Sequence, residues 1–269
     1  MSYTNFRKIV WAQYKKQGRH GLPWRRTRDP YKILVSEVML QQTQVERVIP
    51  YYKAFLKKFP NVRALSHAKL SEVLKIWQGL GYNRRAKMLR EAAKVLAQKH
   101  NGRFPKTAEE LEALPGVGPY TAHAVAAFAY NQNVVFVETN IRTAVTHHFF
   151  TSKEKTDDAE VFAVLHKTLP KGKSREWYAA LMDYGAYLKR SGVRLNARSK
   201  HYAKQSVFEG SMRQARGALL KELAKSPCER TFLIKILGPS RREQVKNAVA
   251  SLTQEGLIQL RGTRFRLAR

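Results

Sequence analysis

The sequence predicts an all-α protein that closes with a small winged-helix-like unit, and three observations carry that prediction. Apolar residues recur at helical spacing in successive segments between Asn5 and Leu169. A turn punctuated by proline and glycine, Leu114-Pro115-Gly116-Val117-Gly118-Pro119-Tyr120-Thr121-Ala122, joins two helical stretches. After Ser211, three helical patterns are followed by one segment that alternates as a strand hairpin.

Taken in order, Asn5 to Gln17 sets Phe6, Ile9, Val10, Ala12 and Tyr14 among basic residues, a short amphipathic helix. Gly18 to Asp29 is a turn-rich connector carrying Leu22-Pro23-Trp24. Asp29-Pro30-Tyr31 then starts a helix that runs to about Val45, because proline suits a first helical position. Further helices are expected at Val48 to Phe59, Leu65 to Leu70, Glu72 to Gln78, Arg84 to Lys99 and Val161 to Leu169. Gly79 to Asn83 interrupts them, as a loop presenting the Tyr82 ring would. Thr107 caps a helix with acids in its first turn, and Pro119 opens the next, Tyr120 to Ala129. Gln214 to Ala224, Glu229 to Leu237 and Arg241 to Glu255 read as helices, and Gly256 to Leu267 as a hairpin around Gly262. The expected organisation is a core over 1–209, with one lobe of about 22–130 and a second from the N-terminal helix plus about 131–209, followed by a winged-helix-like domain over 210–269.

Charge selects the partner. Lys and Arg number 50 against 20 Asp and Glu, a formal +30, while an apolar fraction of 43% argues for a folded body rather than a basic tail. A polyanion follows, with nucleic acid the first candidate and a membrane surface a distant second; double-stranded DNA is named only by the resemblance below. No run approaches the ~20 apolar residues of a membrane span, and the N-terminus lacks a charged-then-apolar signal pattern. A cytoplasmic monomer is expected, associated with the nucleoid if bacterial. Cys228 is the only cysteine, so neither a disulfide within the chain nor a Cys-ligated metal centre can form; no cofactor is expected.

Gly116 and Gly118 permit positive φ and close backbone approach, and N–H groups opening a helix make an anion site, here for a DNA phosphate; an ordinary helical corner would read the same way. Glu37 sits among Val35, Val38, Met39 and Leu40. It is either a solvated surface glutamate or a carboxyl desolvated enough to donate a proton near neutral pH. Downstream of the turn, Phe136-Val137-Glu138-Thr139-Asn140-Ile141-Arg142 places an acid and an amide after an apolar run.

The turn and that pair together resemble the helix-hairpin-helix plus Gly/Pro-Asp signature of base-excision DNA glycosylases. Leu22-Pro23-Trp24, Asp29 to Lys32, Ser36 to Gln44, Trp77 to Tyr82, Leu114 to Gly118 and Trp177 to Gly185 stand in the order and spacing of the adenine DNA glycosylases of MutY type, from about Phe6 to Asp183. The resemblance implies a two-lobed helical HhH-GPD glycosylase fold and roles for named residues. Glu37 protonates the leaving base. Glu138, where the family has Asp, offsets positive charge on the sugar, with Asn140 positioning it. Gln41, Gln42 and Tyr82 fill the gap left by a flipped base, and Leu114, Gly116, Val117 and Gly118 hold a phosphate. Tyr120 occupies the position of the lysine that forms a Schiff base in strand-cleaving members, so a glycosylase without lyase activity is implied.

Two family features are missing. The four cysteines of the family's four-iron, four-sulfur cluster are absent; the first falls on Lys189 and the second near Asn196. Lys189 to Lys204 instead holds six basic residues, among them Arg190, Arg198 and Lys200, and no acid, a strap able to neutralise phosphates. From Ser211 no Nudix-like domain is recognisable, and Arg241, Arg242, Arg261, Arg264 and Arg266 fall on the third helix and wing, suited to groove or backbone contacts with DNA, although a wing can equally serve protein contacts. The substrate implied is adenine opposite guanine or 8-oxoguanine. Tyr120 also occurs in thymine-mismatch relatives, making thymine or uracil opposite guanine the alternative, and a non-catalytic DNA-binding protein on the same fold the alternative of another class.

Overall fold

A computed structural model describes residues 1–200 and 207–269. Among them are fourteen α-helices: α1 Tyr3–Gln17, α2 Pro30–Leu40, α3 Val45–Lys58, α4 Val62–His67, α5 Leu70–Trp77, α6 Arg84–Lys99, α7 Ala108–Glu112, α8 Pro119–Tyr130, α9 Thr139–Phe149, α10 Asp158–Thr168, α11 Ser174–Arg190, α12 Met212–Lys225, α13 Arg230–Leu237 and α14 Arg242–Gln254. Three short strands, β1 Cys228–Glu229, β2 Ile258–Arg261 and β3 Arg264–Leu267, pair antiparallel in the order β1-β3-β2. No helix of the described residues is long and apolar enough to cross a membrane.

The chain divides into two compact units. One comprises Met1–Glu37, Pro105–Ala113 and Val117–Lys204; the other comprises Val38–Phe104, Leu114–Gly116 and Gln205–Arg269. The first is built on an apolar centre in which Phe6 and Val10 of α1, Ala124 and Ala127 of α8, Ile141 and Val145 of α9, Val161 and Leu165 of α10 and Trp177, Tyr178 and Leu181 of α11 are buried. Phe136, just before α9, stacks on Tyr178 with ring centroids 4.0 Å apart. Each such large side chain taken from water contributes ~1.5–3 kcal/mol, so these positions hold the helices together. One charge is buried with them. Asp183 of α11 accepts from Arg25 Nη1 at 2.8 Å and Nη2 at 2.9 Å, and from Arg19 Nε at 2.6 Å. Burial alone would raise its pKa, but the two guanidiniums hold it below the usual carboxylate range.

Gly185 is a glycine for a steric reason. A Cβ there would lie 2.0 Å from the carbonyl oxygen of Asn140, so only glycine lets α11 touch the first turn of α9.

In the second unit α6 packs on α4 and α5 through Leu65, Val73, Leu74, Trp77, Leu89, Ala93 and Leu96. The C-terminal helices bury Leu219, Leu223, Val245 and Leu252, and the hairpin sets Leu260 opposite Phe265. This is the winged-helix-like arrangement expected, with β1 added, a strand of two residues too short to leave an alternating pattern. Gln78 Nε2 donates to Leu220 O at 3.1 Å and Lys87 Nζ to Glu255 O at 2.6 Å, so the segment after 205 is tied to α5 and α6.

One helix ends earlier than its pattern suggests. α2 stops at Leu40 rather than near Val45, because the carbonyls of Val38, Met39 and Gln41 turn to the Arg85 guanidinium and Gln42 adopts a φ of +57°. Asn61 and Lys69 likewise set the starts of α4 and α5 a few residues before the expected positions.

Two glycine substitutions should move stability in opposite directions. Gly185→Ala should lower it by ~1–3 kcal/mol, since the methyl group meets backbone that must shift. Gly217→Ala, inside α12 with open space around its Cα, should raise it by ~0.5–1 kcal/mol. Urea midpoints at constant slope give both.

Candidate active site

Glu37 lies on α2 with Ile33, Leu34, Val35 and Ser36 all buried beside it, and is itself only 5% exposed. Its Oε2 accepts a hydrogen bond from the Tyr120 hydroxyl at 2.9 Å. Desolvation pushes the Glu37 carboxyl up from the ordinary 4.5 to about 7; the Tyr120 bond opposes this, and the Glu138 charge adds to it. Of the two readings open in the sequence, the desolvated carboxyl rather than the solvated surface glutamate is the one the geometry gives. Tyr120 is held well above its usual pKa by burial and by both carboxyl groups, so it stays a neutral phenol. Its ring meets Phe136 edge-on at 5.7 Å, which fixes the hydroxyl's direction.

Glu138 is the N-cap of α9, a position normally held by the shorter Asp, Asn, Ser or Thr. Its longer side chain folds back on its own helix. Oε1 accepts from the backbone N–H groups of Asn140 and Ile141, both at 2.7 Å, and Oε2 from Asn140 Nδ2 at 3.1 Å and Thr139 Oγ1 at 3.2 Å. The extra methylene is thus absorbed by capping, and the carboxylate rests at the positive end of the helix.

Asn140 is held in turn. Its Oδ1 accepts from Lys189 Nζ at 2.8 Å, which fixes the amide so that its Nδ2 faces Glu138. Lys189 stands on the last turn of α11, one turn beyond Gly185, and burial pulls its pKa below the usual lysine range although the Glu138 charge works against this. The sequence reading placed Lys189 in a phosphate strap; the structure turns it inward to Asn140. Two further cations of this stretch also have protein partners. Arg198 Nη1 donates to Thr151 O at 3.0 Å, Lys200 Nζ pairs with Asp157 at 3.1 Å, and Thr156 bridges Ser199. Arg190 is exposed, and the strap's residues 201–204 lie outside the described residues.

These residues do not fit a Cys-ligated iron–sulfur cluster. Cys228 is buried in the other unit with its Sγ donating to Ser226 O, and an ammonium engaged with Asn140 stands where the first cysteine would be needed. Among the described residues no group of His, Cys, Asp and Glu is arranged to hold a metal ion.

The candidate gap-filling residues lie in the second unit, on two loops gathered by one side chain that the sequence reading missed. Arg85 Nη1 donates to Val38 O at 2.7 Å, Met39 O at 3.1 Å and Gln41 O, and Nη2 to Leu80 O at 3.2 Å and Gly81 O at 3.0 Å. The guanidinium also lies over the rings of Trp77 and Tyr82, 5.5 and 5.6 Å from their centroids. Gln42 and Tyr82, at φ +57° and +47°, are held in a conformation non-glycine residues seldom adopt. A signal was present: a positive side chain in the first turn of a helix opposes the helix dipole, so Arg85 near the start of α6 called for another reason to be there.

At the hairpin, Gly116 and Gly118 are exposed, whereas the side chains of Leu114 and Val117 are buried, so those two positions offer only backbone. Gly116 has φ +74°, and a Cβ there would lie 2.3 Å from Met88 Cβ. On the C-terminal helix and wing, Arg242 and Arg264 are exposed, whereas Arg241 is engaged with Gln244 at 2.6 Å and Gln214 at 2.9 Å.

Comparison with known proteins agrees with this geometry. The family model described as HhH-GPD superfamily base excision DNA repair protein matches residues 35–171. An adenine DNA glycosylase of Mycolicibacterium smegmatis is 36% identical over all of this chain and 97% of its own length. One from Mycobacterium tuberculosis is 42% identical over 69% of this chain and 61% of its own. One from Buchnera aphidicola subsp. Baizongia pistaciae is 37% identical over 70% of this chain, which spans only 54% of that relative. Among solved structures, a thermostable thymine-DNA glycosylase superposes with a TM-score of 0.63 at 28% identity, over 75% of this chain and 99% of that one. An endonuclease III–DNA complex, 23% identical over 70% of this chain and 87% of that one, superposes with a TM-score of 0.59 and supports the fold.

A carboxyl whose pKa is raised on folding stabilises the fold fully below the unfolded value and loses that contribution as pH rises through the folded one. For Glu37 the window is pH 4.5 to about 7. Glu37→Gln should therefore match the wild type in stability near pH 4 and exceed it by about 3 kcal/mol at pH 8. Denaturant titrations at the two pH values measure the difference.

Proposed function

The chain belongs to the helix-hairpin-helix (HhH-GPD) superfamily of base excision DNA repair proteins, and on that premise we propose that it is a monofunctional DNA glycosylase that releases adenine mispaired with guanine or 8-oxoguanine. One observation carries the reading: a buried carboxyl, Glu37, bonded to the Tyr120 hydroxyl and with its pKa raised by burial to about 7, accompanied by a second carboxyl, Glu138, fixed at a helix N-terminus. The adenine assignment is supported by the printed activity of the relatives, above all the mycobacterial one whose length this chain matches.

Breaking an N-glycosidic bond requires a proton on the departing base and negative charge beside a sugar that becomes cationic. In this proposal the base leaves the helix, at a cost of a few kcal/mol, while Tyr82, Gln41 and Gln42 occupy the space it vacates. Glu37 gives its proton to a ring nitrogen of the base, the bond to the sugar breaks with its electrons going to the base, and the Glu138 carboxylate faces the cationic sugar. Water then adds to the sugar, and the ionised Glu37 can take its proton. Tyr120 orients the Glu37 carboxyl and brings no amine, so no Schiff base forms and the strand is left uncut. Binding rests on charge and on the Gly116–Gly118 backbone, giving a steep salt dependence. The protein acts as a monomer, without an iron–sulfur cluster, on mismatched double-stranded DNA.

The test is base release under single turnover from duplexes carrying A, T, U or C opposite G or 8-oxoguanine, followed by alkali. Adenine should be released, and the rate should fall as pH rises above about 7, where Glu37 loses its proton. Glu37→Gln and Glu138→Gln should each lower the rate ~10²–10⁴-fold while leaving DNA affinity within about threefold. Glu138→Asp keeps both the cap and the charge and should stay within about tenfold of the wild type. Release of no base from any duplex would identify a non-catalytic DNA-binding protein, and release of thymine or uracil alone would move the substrate assignment.

Lys189 gives a separate check. Lys189→Met should lower the single-turnover rate about tenfold by freeing the Asn140 amide, while binding to an abasic-site analogue stays within about threefold. Unchanged catalysis in that variant would remove Lys189 from the positioning of Glu138.

A further inference from the structure

Within the second unit, the hairpin of β2 and β3 has two unlike faces. Ile258, Leu260, Phe265 and Leu267 share one, and Gln259, Arg261, Arg264 and Arg266 the other, because the register sets Leu260 opposite Phe265 and Arg261 opposite Arg264. On the apolar face Ile258, Phe265 and Leu267 are buried, whereas Leu260 is 51% exposed. On the other face two arginines stand directly opposite each other, an arrangement that destabilises a strand pair unless an anion meets it. Glu229, 4.0 Å from Arg264, is the only acid within that distance of these arginines among the described residues.

The outer edge of the sheet is open. β2 is its last strand and pairs only with β3 among the described residues. Ala268 N donates to Leu257 O at 3.0 Å, so hydrogen-bonded pairs recur at Gln259–Arg266 and Arg261–Arg264, and the N–H and C=O groups of Ile258 and Leu260 turn away from β3. Such an edge is a template for another extended chain unless proline, a bulge or charge blocks it. β2 holds no proline, and its register with β3 is unbroken. The guard that is present is the charge of Arg261, and its sign decides what is turned away. A second copy of this chain, carrying +30, is repelled, and a segment rich in acids is attracted.

We propose that β2 is a docking edge for an extended acidic segment of a partner protein, which adds as a further strand with its acids on the Arg261 face and its apolar side chains on the Leu260 face. Main-chain hydrogen bonds to Ile258 and Leu260 supply affinity, and the alternation of acidic and apolar side chains supplies selection. A DNA backbone would use the arginines, but it has no ladder of donors and acceptors to match the open edge. Docking at β2 does not depend on the glycosylase reading.

The test is fluorescence anisotropy with the full chain and a labelled peptide that alternates Asp with Val. That peptide should bind, whereas the same pattern with Lys for Asp, or the same residues gathered into an acidic and an apolar block, should not. Methylating alternate amide nitrogens of the peptide should weaken binding about tenfold in one register and leave it within about twofold in the other, because one set of amides faces β2. Leu260→Pro removes an outward N–H without touching the ladder to β3 and should cost about tenfold. If that variant fails to fold, the methylated peptides decide alone. Arg261→Glu should also cost about tenfold and should admit the Lys peptide. Absence of binding by the wild type overturns the proposal, and so does equal binding of the two methylated peptides, which would reduce the contact to charge. Loss of duplex affinity in Leu260→Pro equal to its loss of peptide affinity would make the hairpin a DNA wing and overturn it as well.

Discussion

The contact between α11 and the first turn of α9 is the constraint on which the rest of the first unit's chemistry depends. Gly185 permits it, and Lys189, one turn further, uses it to hold Asn140. Asn140 then supplies two of the hydrogen bonds that hold Glu138. The negative charge of the site is therefore placed by helix packing as much as by local sequence. On the same helix, Asp183 binds Arg19 and Arg25, so α11 organises buried charge along much of its length. The apolar surroundings of Glu37 and the N–H donors around Glu138 are products of one framework.

In the second unit Arg85 performs the corresponding task. It satisfies carbonyls that the early end of α2 leaves without helical partners, and carbonyls of the Gly79–Tyr82 loop as well. A single guanidinium can do this because its five donors fan out in a plane. Lysine would reach fewer oxygens and present no flat face to Trp77 or Tyr82.

Much of this was legible in the chain itself. Helical spacing found most of the helices, Arg84–Lys99 to the residue, and motif order singled out Glu37, Tyr120, Glu138 and Asn140, which the structure joins as two hydrogen-bonded pairs, Glu37 with Tyr120 and Glu138 with Asn140. The partners of those residues were less legible. Lys189 and Asn140 are far apart in sequence, and nothing local distinguishes an inward lysine from the five basic residues that follow it through Lys204. The end of α2 was hidden for the same reason, since the group that terminates it comes from α6. Charge composition does not report partners either: Arg198 donates to Thr151 O, and Lys200, itself exposed, to Asp157. Periodicity reports which face is apolar; it does not report which cation a carbonyl or an amide will find.

Glu138 is the N-cap of α9 and, in the proposed mechanism, also the carboxylate that faces the sugar, and this double use would limit how the position can change. Asn, Ser or Thr would keep a cap but remove the charge, and most other replacements would lose both. The side chains able to do both are Asp and Glu, and the step from one to the other needs only a small adjustment in how the side chain folds back. Drift between those two acids is therefore open to this lineage, whereas the rest of the amino-acid alphabet is closed to it at one site by two unrelated requirements.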